Sequence, residues 1–475
     1  MKRNRAMKLH ILGICGTFMG GVAALARELG FEVEGSDQNI YPPMSDQLAA
    51  LGITLKSGYR AEHLGSENLA AAPDLVIVGN ALSRGNPAIE YMLDARLPYV
   101  SGPQWIGDNI LAQRRVFAVA GTHGKTTTTA MLAWILEACG RAPGFLVGGV
   151  PENFGVSARL GRKWDQSVFS PQDKHHADPL FVIEADEYDT AFFDKRSKFV
   201  HYHAQVAILN NLEYDHADIF PDVASIQRQF HHLVRTVPRS GRLIVNAEDP
   251  RLAEVLAMGA WSPVTTFGID AGDWRARLLA GDGSAFAVLR DGKEIGVVRW
   301  PLIGRHNVSN ALGALAAADT AGVDVDKAIA VLGDFRSAKR RMELVGEREG
   351  IRVYDDFAHH PTAIATTLAG LRARVGNARI LVGMEPRSNS MRAGAHADEL
   401  APSLADADAV VLLHRPELVW DAQKVTAALA GRGRSVHSVD ALIDSLREWA
   451  AAGDHVVFMS NGGFENAPRR FLAAL

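Results

Sequence analysis

Short apolar runs recur along the chain, and most are followed at once by glycine, acidic or amide residues. Runs of this length without polar alternation are typical of strands buried in a parallel sheet. They lie at Lys8–Ile14, Phe31–Gly35, Leu75–Gly79, Leu97–Val100, Val116–Ala120, Leu180–Ile183, Gln205–Leu209, Ile351–Tyr354, Arg379–Val382, Ala409–Leu412 and His455–Met459. Helical spacing follows at Ala130–Leu136, Asn310–Ala321 and Pro361–Arg374. The alternation predicts the α/β class, with mostly parallel sheets.

The length of the chain predicts several domains, because 475 residues exceed what one hydrophobic core usually supports. A glycine turn follows the first strand, and the phosphate-loop sequence Gly121–Thr126 follows the run Val116–Ala120. We therefore predict a Rossmann-like domain at residues 1–113 and a central domain of the P-loop ATPase type at 114–334. A second Rossmann-like α/β domain is predicted at 335–475. The polar stretch from Arg162 to Pro179 is interpreted as a surface loop.

The composition limits the partners and the compartment. A net charge of −4 gives no reason to expect nucleic acid as a partner. The only cysteines, Cys15 and Cys139, argue against a disulfide framework and fit a reducing cytoplasm. A basic start and an apolar stretch could indicate a signal peptide, but His10 and several glycines interrupt that stretch. We therefore expect a cytoplasmic protein without a membrane partner, whose true start could be Met1 or Met7.

A glycine-rich turn with a lysine joins the run Val116–Ala120 to the helix that follows it. Strand, turn, lysine, hydroxyl and helix occur in the order of a phosphate-binding loop, whose backbone N–H groups face an anion. The lysine can reach the outer phosphates of ATP, and the next threonine can bind Mg²⁺. The alternative is a turn capped by threonines, since Val119 stands where the common loop has a glycine. The predicted nucleotide-binding residues are Gly121, Thr122, His123, Gly124, Lys125, Thr126 and Thr127.

Acidic residues and a histidine follow two further predicted strands of the same sheet. Glu184–Glu187 ends one strand, and Asn210–His216 ends the other. Ligands bind at the carboxyl ends of parallel strands, where carboxylate and imidazole groups can hold a divalent cation. We predict a Mg²⁺ site formed by Thr126, Glu184 and His216. The alternatives are an acidic surface loop and a structural histidine.

The first domain contains a glycine turn of the dinucleotide-binding type. Gly13, Gly16 and Gly20 lead from the first strand into a helix, and Asp37 follows the second strand, where an acid can meet a ribose. The spacing differs from G-x-G-x-x-G, so the turn favours NAD only weakly. An NAD-dependent oxidoreductase would use this turn but would leave the phosphate loop unexplained.

Paired charges flank the first strand of the third domain. Arg340 and Arg341 precede it, and Asp355 and Asp356 end it. Arginine suits a transferring phosphoryl group, and acids at a strand end can hold ribose hydroxyls. A turn with a solvated surface pair explains these residues equally well.

Five motifs in order resemble those of the Mur ligases of peptidoglycan synthesis. They are Gly121–Thr126, Glu184–Glu187, Glu213–His216, Gly304–Asn307 and Asp355–Pro361. The resemblance spans nearly all of the chain and implies three domains and an ATP-dependent amide ligase. Within the family, Glu184–Lys198, Asn210–Ile219, Glu385–Met391 and Met459–Phe464 are similar to the branch that recycles peptidoglycan peptides.

The resemblance implies UDP-N-acetylmuramate and the tripeptide L-Ala-γ-D-Glu-meso-diaminopimelate as substrates, joined through an acyl phosphate with ATP and Mg²⁺ as cofactors. The implied catalytic residues are Lys125, Glu184, His216 and Arg341. The residues implied to bind the nucleotide are Asn307, Asn310, Arg341 and Asp356. Those implied to bind the other substrates are Gly13, Gly16, Thr17, Gly20, Asp37, His359, Arg387, Asn389 and Arg392. The alternatives are the alanine-adding ligase of the same family and, outside it, a nucleotide-dependent switch.

Overall fold

The computed structural model describes residues 6–41, 44–162 and 179–475. Met1, one of the two candidate starts, lies outside these residues, as does nearly all of the predicted loop from Arg162 to Pro179. Within the described ranges, no helix is both long and apolar enough to cross a lipid bilayer.

The first sheet is parallel throughout and has the strand order β3-β2-β1-β4-β5. Its elements are β1 (Lys8–Leu12), α1 (Thr17–Glu28), β2 (Glu32–Asp37), α2 (Met44–Ala50), β3 (Thr54–Ser57), β4 (Leu75–Val78), α3 (Pro87–Asp94), β5 (Tyr99–Ser101) and α4 (Gly102–Asn109). The turn at Gly13 has a left-handed backbone (φ +81°), which a glycine adopts without strain. This turn leads from β1 into α1, as the glycine spacing predicts.

The described part of the central domain contains a sheet in the order β17-β16-β15-β14-β13-β12-β6-β9-β7-β8 and a hairpin of β10 and β11. The first elements are β6 (Arg115–Ala120), α5 (Lys125–Ala138), β7 (Gly144–Leu146), β8 (Ala158–Arg159), β9 (Leu180–Ala185), β10 (Asp189–Ala191), β11 (Asp194–Ser197) and β12 (Val206–Leu209). They are followed by α6 (Val223–Thr236), β13 (Arg242–Asn246), α7 (Pro250–Ala257), β14 (Val264–Phe267), β15 (Trp274–Leu278), β16 (Ala285–Arg290), β17 (Lys293–Arg299), α8 (Arg305–Thr320) and α9 (Val325–Ala330). Strands β13–β17 were not predicted, and β15–β17 pair antiparallel.

The third sheet has the order β18-β19-β23-β20-β21-β22, with β18 antiparallel and the others parallel. Its strands are β18 (Glu343–Arg348), β19 (Ile351–Asp356), β20 (Ile380–Met384), β21 (Ala409–Leu413), β22 (Gly433–Val436) and β23 (His455–Met459). Its helices are α10 (Pro361–Val375), α11 (Asn389–Arg392), α12 (Ala397–Ser403), α13 (Ala422–Ala428), α14 (Val439–Trp449) and α15 (Ala467–Ala474). The predicted α/β class with three mostly parallel sheets is confirmed.

Three neighbouring central strands end at one edge and carry the predicted chemistry. Strand β6 lies between β9 and β12, with Val119 opposite Glu184 and Ala120 opposite Leu209. The phosphate-loop segment, the acids after β9 and the amides after β12 therefore leave the sheet side by side, as the prediction requires.

Candidate active site

The phosphate-loop segment contains a glycine, Gly124, that the fold requires. Gly124 has a left-handed backbone (φ +75°) and immediately precedes α5. A Cβ at this position would lie 2.6 Å from Asn310 Oδ1 and 2.7 Å from Asn210 Nδ2. These two amides are hydrogen-bonded to each other at 2.8 Å. Asn310, one of the predicted nucleotide residues, therefore lies against the backbone of the loop and supports it.

Lys125 is held at the sheet edge by carboxylates. Its Nζ lies 3.0 Å from Glu187 Oε2 and 3.8 Å from Asp186 Oδ1. Burial lowers the pKa of Lys125, but the attraction of Glu187, Asp186 and Glu184 outweighs it and raises the pKa above its usual range. The lysine is therefore a fixed positive charge beside the helix N-terminus, suited to the outer phosphates of a nucleotide.

Thr126 and Glu184 form a cluster of oxygen donors. The Thr126 hydroxyl donates to Glu184 Oε1 at 3.1 Å, and the N–H of Gly148 donates to Glu184 Oε2 at 2.7 Å. Arg341 reaches across from the third domain and donates to Thr126 Oγ1 at 3.3 Å. A hydroxyl and a carboxylate are the ligands that Mg²⁺ prefers, and the half-buried Glu184 is well placed to neutralise such an ion. These residues fit the predicted cation.

His216 is connected to the predicted metal site through another residue, Glu187. Its Nε2 is 3.2 Å from Glu187 Oε1, and Glu187 contacts Lys125. Burial lowers the pKa of His216, but the neighbouring carboxylates of Glu187, Asp215 and Asp186 outweigh it and raise the pKa. Thr126 and Glu184 are thus in direct contact, whereas His216 is connected to them through Glu187 and Lys125. The shared coordination of one ion by all three stays a prediction.

The other predicted nucleotide residues make local contacts with the backbone or with a neighbouring ring. Asp356 accepts hydrogen bonds from the N–H groups of Met342 (2.7 Å) and Ala358 (2.8 Å). The Arg341 guanidinium lies 5.0 Å from the centre of the Phe357 ring. Asn307 at the start of α8 donates to the carbonyl of Ile303 at 2.7 Å, so one of its amide donors is already used locally.

A cavity of about 260 Å³ lies between the central sheet edge and the third domain. The predicted residues that line it are His216, His359, Arg387 and Asn389, joined by Asp215, Asp218, Ser388, Ser390 and Asn461. The guanidinium of the exposed Arg387 lies against Gly462, where a Cβ would be 2.4 Å from its Nη1. Arg392 does not line the cavity but donates to Asn389 Oδ1 at 2.7 Å. It therefore positions Asn389 rather than facing the cavity itself.

The predicted residues of the first domain support their own turn. Asp37 accepts from the N–H groups of Cys15 (2.9 Å) and Asn39 (3.0 Å), so its carboxylate holds the glycine turn. Helix α1 begins at Thr17, directly after Gly16. A Cβ at Gly20 would lie 2.3 Å from Met44 Sδ, so this glycine permits the packing of α2 on α1. The binding of a nucleotide sugar by this turn stays a prediction.

Several residues of the site were missed by sequence reasoning. Asp218 accepts from Asn389 Nδ2 at 2.9 Å and also bonds the Tyr188 hydroxyl, so it joins the central domain to α11. Lys198 donates to Asp186 at 2.8 Å. Asn210 was a detectable candidate, because an amide directly after a buried strand is a frequent ligand position. Asp218 and Gly148 carry no such signal, since only the fold brings them to the edge.

Comparison with known proteins agrees with this geometry. The Mur ligase family catalytic domain matches residues 8–114, the Mur ligase middle domain matches 119–318, and the Mur ligase glutamate ligase domain matches 340–462. The chain belongs to the Mur ligase family. As a Mur ligase it is an enzyme of the ligase class.

Two relatives and one solved structure illustrate its place in the family. This Mur ligase is 53% identical, over 99% of its length and 98% of the relative, to the UDP-N-acetylmuramate–L-alanyl-γ-D-glutamyl-meso-2,6-diaminoheptandioate ligase of Escherichia coli K12. A UDP-N-acetylmuramate–L-alanine ligase of Rubrobacter xylanophilus is 32% identical, over 99% of this chain and 100% of the relative. The crystal structure of a murein peptide ligase from Psychrobacter arcticus superposes with a TM-score of 0.76 at 48% identity, covering 99% of this chain and 98% of that one.

Proposed function

We propose that this Mur ligase joins UDP-N-acetylmuramate to the tripeptide L-Ala-γ-D-Glu-meso-diaminopimelate, with cleavage of ATP and with Mg²⁺ as cofactor, in peptidoglycan recycling. The observation that carries the proposal is the cavity between the central sheet edge and the third domain, which is lined by both His216 and the exposed Arg387. The 53% identity to the Escherichia coli ligase supports the same substrates.

The proposed chemistry has two steps on the carboxylate of UDP-N-acetylmuramate. This carboxylate takes the γ-phosphoryl group of ATP and releases ADP, giving an acyl phosphate. The amine of the tripeptide then attacks the acyl carbon, and inorganic phosphate leaves as the amide forms. A free carboxylate is a poor acceptor for an amine, so the phosphoryl group supplies the leaving group.

The residues of the sheet edge would stabilise charge rather than form covalent bonds. Lys125 and Arg341 are fixed cations on either side of Thr126, one from each of two domains. They would neutralise the phosphoryl oxygens during transfer, as phosphoryl-transfer enzymes require. Thr126 and Glu184 would hold Mg²⁺, which would supply further neutralisation of the phosphates.

The same proposal includes the domain limits and the compartment. We place the nucleotide-sugar domain at residues 1–113, the ATP-binding domain at 114–334 and the closing domain at 335–475. A cytoplasmic location is supported by the two free cysteines, Cys15 and Cys139.

A phosphate-release assay tests the substrates. With ATP and UDP-N-acetylmuramate present, the tripeptide is expected to support phosphate release and L-alanine is expected to support little. The reverse preference would identify the alanine-adding activity instead. Phosphate release without any dependence on the nucleotide sugar would favour a nucleotide-dependent switch.

The variant Arg387→Ala tests the peptide site. Loss of a charged hydrogen bond to the peptide should raise the apparent KM for tripeptide about 10- to 150-fold, equivalent to about 1.5–3 kcal/mol. Arg447→Ala, at an exposed arginine elsewhere in the same domain, is the matched control and should behave as wild type. An unchanged KM in Arg387→Ala would move peptide recognition elsewhere, while leaving the ligase activity itself intact.

A further inference from the structure

A second cluster of ligand-type side chains lies beside the phosphate loop, apart from the oxygen donors of Thr126 and Glu184. His123 Nε2 is 2.9 Å from Glu213 Oε2, and His360 Nδ1 is 3.4 Å from the same oxygen. The imidazole rings of His123 and His360 have centroids 4.4 Å apart. One nitrogen from each histidine and one carboxylate oxygen lie within 4.8 Å of one another.

The hydrogen bonds of His360 show which of its two nitrogens is unprotonated. Its Nε2 lies 3.2 Å from the carbonyl oxygen of Tyr214, which can only accept, so Nε2 carries the proton. Nδ1 is therefore the unprotonated nitrogen; it accepts weakly from the N–H of Thr362 at 3.3 Å.

Both imidazoles approach one oxygen of Glu213. Its Oε2 lies 2.9 Å from His123 Nε2 and 3.4 Å from the unprotonated Nδ1 of His360. This oxygen and Nδ1 are both acceptors, so neither can donate a hydrogen bond to the other. A cation bound between them would be attracted by both atoms.

We propose that His123, Glu213 and His360 form a second divalent-cation site, selective for Zn²⁺ or Co²⁺ over Mg²⁺. Two imidazoles and one carboxylate are a ligand set that suits such metals, whereas Mg²⁺ favours oxygen ligands alone. Ligands about 2.0–2.1 Å from a tetrahedral ion lie about 3.3 Å from one another. The 3.4 Å contact of His360 matches that spacing, and the 2.9 Å contact of His123 would lengthen by about 0.4 Å on metal binding.

The position of the site predicts what the ion does. His123 belongs to the phosphate-loop segment, whereas His360 immediately precedes α10 of the third domain. An ion bound by both histidines ties the third domain to the nucleotide-binding loop. It should therefore oppose separation of the two domains and slow turnover.

Titration of the chelator-treated full-length protein with Co²⁺, in saturating Mg²⁺, tests the proposal. Excess Mg²⁺ occupies oxygen sites such as Thr126 and Glu184, so Co²⁺ binding reports a nitrogen-containing site. We expect one additional Co²⁺ per chain, with the visible absorption of a tetrahedral ion, displaced by Zn²⁺. Absence of Co²⁺ binding under these conditions overturns the proposal.

Three variants locate the ion. Glu213→Gln keeps the shape of the side chain, and His360→Asn keeps an acceptor for Thr362 at the helix start while removing the imidazole. Both should weaken Co²⁺ binding at least about 10-fold. His359→Asn, at the adjacent histidine, is the matched control and should retain the wild-type affinity. Thermal melts verify that each variant is folded.

A further variant separates this site from the other possible one. Asp186, Glu187 and His216 also place ligand atoms within 4.8 Å of one another. If Co²⁺ binding is lost in His216→Asn but kept in His360→Asn, the ion occupies that second cluster and the proposal is wrong. Loss in His360→Asn with retention in His216→Asn supports it.

Discussion

At the scale of single residues, a carboxylate with little exposure is stabilised by several polar partners. Glu34 in β2 shows the principle away from the active site, with a side chain that is 12% exposed. Its Oε1 accepts from His10 Nδ1 and Lys56 Nζ, each at 2.9 Å, and lies 3.3 Å from Lys8 Nζ. Burial raises the pKa of Glu34, but these partners outweigh it and lower the pKa to about 2. The carboxylate therefore stabilises the fold only while it is ionised.

This network predicts an acid-dependent loss of stability. A depressed folded-state pKa gives stability that is complete above the unfolded value of 4.5 and is lost as pH falls towards about 2. Glu34→Gln should therefore lower the free energy of unfolding at pH 7 by up to about 3 kcal/mol. The difference from wild type should shrink steadily below pH 4.5 in urea unfolding experiments. A difference that stays constant down to pH 2.5 would contradict the assigned role of the charge.

The sequence predicts a site residue best where that residue directly follows a strand. Lys125 and Thr126 could be found because the loop is contiguous and its neighbours signal strand and helix. The contacts of Asn307 and Asp37 could not, because each side chain bonds to the local backbone, and residue type does not reveal that choice. The pairing of His123 with Glu213 depends on two segments that only the sheet order brings together.

At the scale of elements, burial on both faces made several strands recognisable from the sequence. Strands β6 and β12 are almost wholly buried and read as continuous apolar runs. Strand β17 lies at the sheet edge, and its residues are mostly exposed or half-buried, with charges at Lys293, Glu294 and Arg299. An edge strand with a solvated face lacks the run that identifies a buried parallel strand. Strand β17 was missed for that reason, whereas the apolar run of β16 is buried, and its burial does not explain why it was missed.

Two glycines around α5 give a matched test of the loop. Gly124 precedes the helix (φ +75°) and Gly140 follows it (φ +80°), so alanine costs a similar backbone strain at both. A Cβ at Gly124 collides with Asn310 and Asn210, whereas at Gly140 nothing lies within 4 Å. Gly140→Ala should cost about 1–2 kcal/mol of stability and leave ATP affinity unchanged. Gly124→Ala should cost more and also weaken ATP binding, measured by calorimetry; equal ATP affinity in the two variants would mean that the loop tolerates displacement.

At the scale of the whole molecule, the two boundaries between domains differ in kind. Buried side chains of the first sheet and of the central sheet belong to one continuous apolar core. Helix α1 lies so close to the central domain that a Cβ at Gly21 would be 2.5 Å from Leu146 Cδ1. The third domain meets the sheet edge through hydrogen bonds, including those of Arg341 and Asn389, and its apolar core takes in Ile303 of the central domain. Hydrogen bonds to water can replace these polar contacts at little cost in free energy. We therefore expect the third domain to move and the first domain to stay fixed.

Ser390 offers a direct test of that difference. Its hydroxyl donates to Asp215 Oδ1 at 2.7 Å and accepts from the N–H of Ala217 at 3.2 Å, so one side chain joins α11 to the loop beside His216. Ser390→Ala leaves the buried Asp215 short of a donor, which should cost about 1–3 kcal/mol in the docked arrangement only. The third domain should then spend more time away from the central domain. Fluorescence energy transfer between labels on these two domains should decrease, and kcat should fall if docking completes the site.

The control for this variant lies within the third domain. The Ser403 hydroxyl is also buried but donates to the carbonyl of Leu400 in its own helix, at 2.7 Å. Ser403→Ala therefore removes a comparable hydrogen bond without touching the central domain, and it should leave energy transfer unchanged. If both variants changed the transfer alike, the effect would arise from loosening of the third domain itself. A change confined to Ser390→Ala would instead identify the polar boundary as the place where the enzyme opens, because the apolar boundary on the other side is common to both variants.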